Sequence, residues 1–309
     1  MRKDRGDILF KRLMLLFPAA ILVLVAGIFL KLCISSGLSI KAFGLPFLFT
    51  STWDPVFEKF CAWPFIYGTL VSSFVALLIA IPVGVGTAIY LAEYAPHWVR
   101  NAISMLVDLL AAIPSVIYGL WGIFVLVPLM RATVQPFLGE HFGFLPFFQG
   151  PNYGVGMLSA SFILAIMIVP FIVSVSREVL LAVPQVYKEA AYAVGSTRWE
   201  AIRFIILSYG KQGIMGGVIL ALGRAIGETM AVTMIIGNSV KVSASFFSPA
   251  YTLASVIANE FAEAASDLYL SAIIEIGFVL LFISVFVNMI ARLLIWSMTQ
   301  NQGLRVRPA

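Results

Sequence analysis

Six long apolar segments constrain this sequence more than any other feature. They cover residues 13–34, 65–91, 103–130, 155–175, 213–236 and 270–296. A helix needs about 20 apolar residues to cross the hydrocarbon core of a bilayer. The strands of a membrane barrel would instead show alternating segments of about 10 residues. The sequence therefore predicts an all-α membrane protein with six transmembrane helices.

The composition excludes several classes of soluble protein. Of the 309 residues, 61% are hydrophobic and 11% are charged, whereas a soluble domain has roughly 45–50% and 25%. An excess of this size does not fit into one soluble core. An ordinary cytosolic enzyme, a disordered regulator and a nucleic-acid-binding protein are therefore all disfavoured.

The positions of the charges predict the orientation in the membrane. If the N-terminus is cytoplasmic and the segments alternate, the inner segments carry most of the basic residues, which are Arg2, Lys3, Arg5, Lys11, Arg12, Arg100, Arg177, Lys188, Arg198, Arg203, Lys211, Arg305 and Arg307. The outer segments then carry Lys41, Lys59, Arg131 and Lys241. Basic residues favour the cytoplasmic side, so both termini are predicted to be cytoplasmic. The net charge of +5 then reflects topology and attraction to anionic membrane lipid, with no nucleic-acid partner.

The first apolar segment follows a basic stretch, as in a signal peptide. Its apolar region exceeds the usual 7–15 residues, so it is predicted to stay as an uncleaved first helix. Cys33 and Cys61 fall on the outer side, where a disulfide and free buried thiols are both open possibilities.

The sequence contains none of the patterns expected of an enzyme. It has no phosphate-binding loop ending in Gly-Lys-Ser/Thr, no cluster of Cys and His at metal spacing, and no nucleophile beside a base. We therefore expect no cofactor, no metal and no nucleotide hydrolysis in this chain itself.

An arginine lies in the middle of the fifth apolar segment. Arg224 is 11 residues beyond Gly213, which is roughly 16–17 Å along a helix. Glu228 would lie one turn later on the same face. One reading is a structural ion pair that locks helices together. The other is that Arg224 faces a transport pathway and binds phosphate or carboxylate, while Glu228 holds it in place.

The segment 177–212 is the longest predicted cytoplasmic loop. Pro184 precedes a short helical run, Gly195 offers a stop, and Ser196 is a candidate N-cap for a second short helix. Within it stand Glu189, Ala190 and Ala191, then Gly195 after three residues, Ile205 after nine more, and Leu207. This spacing resembles the EAA motif of ABC-importer permeases, although Ser208 stands where that motif has proline.

The resemblance to ABC-importer permeases implies the type I, MetI-like fold. It also implies that Glu189, Ala190, Ala191 and Gly195 form a coupling helix that docks on a separate ATPase chain. An amphipathic loop helix without that role is the alternative. The implied organisation has residues 1–64 as tail, first helix and outer loop, residues 65–296 as a five-helix core, and residues 297–309 as a cytoplasmic tail.

Thr229 to Val232 and the Trp-containing outer loop after the first span are more similar to PstC-type permease subunits than to PstA-type ones. Three further stretches resemble the phosphate branch of these permeases. They are Gly223 to Ala231, Ala112 to Gly122, and Gly237-Asn238. This resemblance implies a bacterial inner-membrane importer of inorganic phosphate. It also implies a second permease subunit of the PstA type, a PstB-type ATPase pair holding ATP and Mg²⁺, and an external phosphate-binding protein.

The implied substrate pathway contains Arg224, Glu228, Thr229, Ser115 and Tyr118. The hydroxyl groups of Ser115 and Tyr118 suit a phosphate, although core packing explains them equally well. Two other functions stay open at this point. One is an ABC permease for another oxyanion or small solute, and the other is a self-sufficient secondary transporter or channel.

Overall fold

A computed structural model describes the backbone of residues 5–303 and the side chains of residues 10–297. Arg2, Lys3, Arg305 and Arg307 of the charge pattern lie outside the described residues. The described chain is helical apart from short connections and one isolated β-bridge. Its helices are α1 (Arg5–Ser35), α2 (Gly37–Phe43), α3 (Trp63–Tyr94), α4 (His97–Ala112), α5 (Ser115–Phe142), α6 (Met157–Leu181), α7 (Gln185–Ala193), α8 (Arg198–Ile226), α9 (Met230–Ile235), α10 (Leu253–Glu260) and α11 (Asp267–Gly303).

Six helices in this part of the chain are long and apolar enough to cross a membrane, which confirms the predicted number. They are α1, α3, α5, α6, α8 and α11. The most buried is α6, which packs against α3, α8 and α4. Small side chains such as Ala76, Ala80 and Ala160 lie in that core, and small residues let membrane helices approach closely. By contrast, α1 packs against α11 and α2 and is almost entirely exposed.

The third predicted span was wrong at both ends, because the spanning helix α5 runs from Ser115 to Phe142. The apolar segment 103–130 is divided into α4 and α5, with Ile113 extended at ψ 129° and Pro114 directly after it. Proline removes a backbone donor and disfavours helical conformation in the residue before it. The spanning helix therefore begins at Ser115, and α4 is a separate amphipathic helix.

The fifth predicted span was wrong at both ends. The helix α8 begins at Arg198, 15 residues before the expected start, and ends at Ile226. Thr197 is its N-cap, in a capping box with Glu200, so the cap is not Ser196 as predicted. Because the first turns of α8 contain charged residues, a hydropathy pattern does not detect where this helix begins. The predicted loop 177–212 therefore shrinks to the residues between α6 and α8.

The connections form two separate ends of the bundle. At one end, which we call the α7 end, the last turn of α3 meets α7 and the start of α8. At the other, the α10 end, Trp53 donates its Nε1–H to Glu260 at 2.7 Å and the Phe246 amide bonds the Phe147 carbonyl at 2.8 Å. The connecting segments that were predicted to lie on the same side of the membrane therefore contact each other at the same end of the bundle.

Both cysteines are free thiols. Cys61 is fully buried at the α10 end, whereas Cys33 is exposed. Of the two possibilities left open by the sequence, the disulfide is not formed.

Candidate functional site

Two breaks between consecutive helices are followed by helices that pack against each other. One separates α4 from α5 at Ile113–Pro114, and the other separates α8 from α9 at residues 227–229. The helices after the breaks, α5 and α9, pack tightly together because Gly119 and Gly122 have no side chains. A Cβ on Gly119 would lie only 2.5 Å from the Met234 sulfur. The two glycines therefore let α5 and α9 approach each other closely.

Arg224 lies in the last turn of α8, directly before the second break. Its guanidinium lies over the ring of Phe171 on α6, 5.0 Å from the ring centroid. Such a cation–π contact stabilises the charge without using its hydrogen-bond donors. The Arg224 Nε atom is buried and has no hydrogen-bond partner among the described residues.

The predicted pair of Arg224 and Glu228 is not formed, and this prediction was wrong. Two ion pairs occur within the described side chains, and neither includes Arg224. Since α8 ends at Ile226, Glu228 is no longer one helical turn from Arg224 on the same face. Its buried carboxylate instead accepts the Ala231 amide at 3.3 Å and caps the first turn of α9.

Tyr118 closes the first break. Its hydroxyl donates to the Leu110 carbonyl at 2.8 Å, which joins α5 to the last turn of α4. Tyr118 lies near the second break as well, because α5 packs against α9. Ser115 lies one turn before Tyr118 and is partly exposed. Thr229 lies in the second break, where its hydroxyl is 3.4 Å from the Gly227 carbonyl, a weak hydrogen bond.

The predicted coupling residues form a second candidate site at the α7 end. Glu189 and Ala190 are exposed on α7, and Ala191 is buried against the protein. Gly195 ends this segment with φ +85°, a conformation that favours glycine. The predicted helix after Pro184 and the predicted stop at Gly195 are both present.

Two features of the coupling site were missed by sequence reasoning. The first is an exposed apolar surface around the EAA residues, formed by Val186, Tyr187, Tyr192, Val194 and Trp199. The second is an ion pair beneath α7, in which Lys188 Nζ lies 2.6 Å from Glu93 Oε1 of α3. Lys188 is three residues before the buried Ala191, on the same face of α7. That spacing is the sequence feature that indicates the burial of Lys188.

Arg198 joins the same network from the first turn of α8. Its guanidinium donates to the Glu93 backbone carbonyl and lies 4.4 Å from the centroid of the Tyr94 ring. Arg100 of α4 donates to the carbonyls of Leu91 and Ala92 at 2.7 and 3.1 Å. Four helices are therefore held together where α3 ends.

Residues 80–300 match the family model described as "binding-protein-dependent transport system inner membrane component". The chain belongs to this family. Its members are transport permease components, so the prediction of a permease subunit is confirmed at that level.

Among the curated relatives are proteins named phosphate transport system permease protein PstC. That of Haemophilus influenzae is 48% identical over 96% of this chain and 95% of its own length. That of Mesorhizobium japonicum is 47% identical over 92% of this chain and 88% of its own. That of Xylella fastidiosa is 45% identical over 98% and 94%. The predicted resemblance to PstC-type permeases is thereby confirmed.

Solved structures with the same architecture are also transporter permeases. A chain of a bacterial ABC transporter involved in the import of the polysaccharide alginate aligns with a TM-score of 0.56, at 20% identity, over 94% of this chain and 99% of that one. A chain of the MetNI methionine ABC transporter aligns with a TM-score of 0.51, at 18% identity, over 76% and 93%. These likenesses confirm the ABC-importer permease fold.

Proposed function

We propose that this chain is a permease subunit of an ATP-driven importer that moves inorganic phosphate across the bacterial inner membrane. The PstC relatives support phosphate as the substrate. The observation that extends the proposal to particular residues is Arg224. It is a half-buried arginine with a buried Nε and no carboxylate partner among the described residues, and it lies directly before the break between α8 and α9.

An unpaired arginine inside a membrane protein is costly and usually functional. The planar guanidinium presents several N–H donors, which fit two oxygens of a phosphate at once. Arg224 keeps these donors free because Phe171 offers only its ring face and Glu228 is occupied at the start of α9. In this proposal a passing phosphate supplies the missing partner, and Tyr118, Ser115, Glu228 and Thr229 frame the same passage.

The partners follow from the coupling site. A PstB-type ATPase pair, holding ATP and Mg²⁺, docks on the exposed apolar surface of α7 with Glu189, Ala190, Ala191 and Gly195. A PstA-type permease completes the pathway, and an external phosphate-binding protein delivers phosphate. A periplasmic protein is present in a solved complex of the alginate transporter, which supports this type of assembly. In this proposal the chain itself hydrolyses no nucleotide.

The orientation follows from the same assignment. If α7 meets an ATPase, the α7 end is cytoplasmic and the α10 end is outside. The basic residues Arg100, Lys188, Arg198, Arg203 and Lys211 all belong to the segments at the α7 end, as expected for a cytoplasmic face. Both termini are then cytoplasmic.

The test is phosphate uptake by the complete importer reconstituted in proteoliposomes. Arg224→Gln keeps a polar side chain but removes the charge and the paired donors. Each hydrogen bond to a charged group contributes about 1.5–3 kcal/mol, so loss of two predicts a decrease in uptake of at least about 100-fold. The matched control is Lys59→Gln, which removes an exposed charge at the α10 end.

Two results would contradict the proposal. Normal uptake by an assembled Arg224→Gln complex would remove Arg224 from the pathway. Uptake that continues without the ATPase chain would favour a secondary transporter instead. Competition of labelled phosphate by sulfate, molybdate or amino acids tests whether another solute is the true cargo.

A further inference from the structure

The helices α3 and α8 border an open groove that the proposed function does not use, which we call the α3–α8 groove. Its volume is about 310 Å³, and its polar lining residues are Arg203, Ser208 and Lys211 of α8. Arg203 and Lys211 are eight residues apart, which is roughly 12 Å along the helix axis. Ser208 lies between them, at the position where the EAA motif has proline. The groove therefore has two cations and a hydroxyl group along one wall.

The two cations are accessible and have no acidic partner. The side chains of Arg203 and Lys211 are both exposed, so a ligand in the groove reaches them directly. Neither forms an ion pair with a carboxylate among the described side chains, and none of the residues that line the groove is acidic. Two cations around one cavity repel each other, and an anionic group between them removes that repulsion. The groove is therefore complementary to an anion.

The remaining wall of the groove is apolar. It is formed by Val85 of α3 and by Ile214 and Met215 of α8. Ile214 and Met215 follow Lys211 along α8, towards the middle of the membrane helices. A free inorganic anion gains nothing from these side chains, whereas a hydrocarbon chain is sheltered from water beside them. A ligand with an anionic head and an apolar tail matches both walls.

The position of the groove along the bundle corresponds to the headgroup region of a bilayer. Lys211 lies two residues before the apolar segment that begins at Gly213. Exposed tyrosines lie beside the groove on both helices, with Tyr90 five residues after Val85 and Tyr209 directly after Ser208. Tyrosine is enriched at membrane–water interfaces. The cations of the groove are therefore at the level of lipid phosphates.

We propose that the α3–α8 groove binds an anionic phospholipid of the surrounding bilayer. Arg203 and Lys211 bind the headgroup phosphate, the Ser208 hydroxyl donates to a headgroup oxygen, and the apolar wall holds the first part of an acyl chain. Basic pockets between membrane helices on the cytoplasmic side are suited to such headgroups. A zwitterionic lipid binds more weakly, because its ammonium group brings a positive charge next to the two cations. The inference is independent of which solute the permease transports.

The test uses the complete importer in phosphatidylcholine nanodiscs that contain a trace of photoactivatable phosphatidylglycerol. The photoreactive group is on the acyl chain, so we expect crosslinks to Val85, Ile214 and Met215, located by mass spectrometry of the digested chain. Each cation near a membrane surface strengthens the binding of an anionic lipid about fivefold. The double variant Arg203→Gln/Lys211→Gln should therefore lower the crosslink yield at these residues about 30-fold.

The matched control is the double variant Lys41→Gln/Lys59→Gln. It removes the same number of charges from exposed positions on α2 and in the loop before α3, so the crosslink yield in the groove should not change. Three further measurements use the unmodified protein and need no variant to assemble. Excess unlabelled phosphatidylglycerol should displace the probe, and excess inorganic phosphate should not. A phosphatidylcholine probe with the same acyl chains should crosslink at least about tenfold less.

Each opposite result would overturn the lipid site. Equal yields from the phosphatidylcholine probe would show ordinary contact with surrounding lipid, and displacement by inorganic phosphate would assign the groove to a free anion. An absence of crosslinks at the three residues would show that another chain of the importer covers the groove. An unchanged yield in Arg203→Gln/Lys211→Gln would remove the two cations from the site. An importer that binds the lipid but takes up no phosphate would contradict the proposed function alone.

Discussion

The ion pair between Lys188 and Glu93 gives the sharpest test of how α7 is attached to the membrane helices. The two side chains are 10% and 7% exposed, and the ion pair distance is 2.6 Å. At that distance the attraction is about 6 kcal/mol for an effective dielectric constant near 20, before desolvation is subtracted. Removing one partner of a buried pair typically costs about 3–5 kcal/mol, because the other charge stays buried alone.

The perturbation is Lys188→Met, which keeps the length and apolar stem of the side chain. If about 3 kcal/mol of the loss falls on the contact between α7 and α3, the population with α7 detached rises more than 100-fold. Hydrogen exchange of the α7 amides measures this population directly. The double variant with Glu93→Gln should recover part of the protection, because no uncompensated charge is left.

The matched control is Lys211→Met, because Lys211 is exposed near the same end of the bundle. It should leave the exchange of α7 unchanged. The reasoning is refuted if Lys188→Met exchanges like the unmodified protein, or if the double variant is no better protected than the single one. In the reconstituted importer, Lys188→Met should also lower the phosphate transported per ATP hydrolysed.

Three further predictions concern backbone fit and thiol chemistry. Gly68→Ala should lower the free energy of unfolding by about 1–3 kcal/mol, measured by thermal unfolding, because a Cβ there overlaps a neighbouring backbone carbonyl. Gly86→Ala is the control. A Cβ there meets nothing within 4 Å, so this variant should be neutral or stabilising. Gly195→Ala should cost roughly 1–2 kcal/mol from its positive φ, seen as faster exchange in α7. Maleimide should label Cys33 and spare Cys61 in the folded protein, because burial raises the pKa of the Cys61 thiol to about 12, and both should react after denaturation.

The number of spans was predictable because hydropathy over 20 or more residues is a strong signal. The ends of the spans were not, because charged residues also occur in the terminal turns of long helices. Arg198, Glu200 and Arg203 lie in the first turns of α8, although their charge favoured a loop. The helix continues there because the Thr197 capping box starts it, and Ala201 and Ile202 are buried.

A proline within an apolar segment does not by itself predict the break before α5, because Pro82 and Pro170 lie inside continuous helices. What distinguishes the α4 segment is its polar face, with Asn101, Ser104 and Asp108 in helical register. That face makes α4 a separate amphipathic helix and lets the chain turn at Ile113.

Arg224 was found from sequence because a charge inside an apolar segment is rare, but its environment was not predictable. The pairing with Glu228 assumed that one helix continued through both residues, and apolar residues on each side of the break supported that assumption. The distance between the two groups depends on whether the helix ends at Ile226. The composition of the segment does not reveal that end.

The break between α8 and α9 therefore decides what Arg224 does. In an unbroken helix, residues at i and i+4 are neighbours, and Glu228 would neutralise the arginine and compete with any anion. The break turns Glu228 towards the Ala231 amide, so that its charge stabilises the start of α9. Arg224 keeps its charge over Phe171 with donors to spare. In a continuous helix with the same two residues, Arg224 would pair with Glu228 and would not be available to bind phosphate.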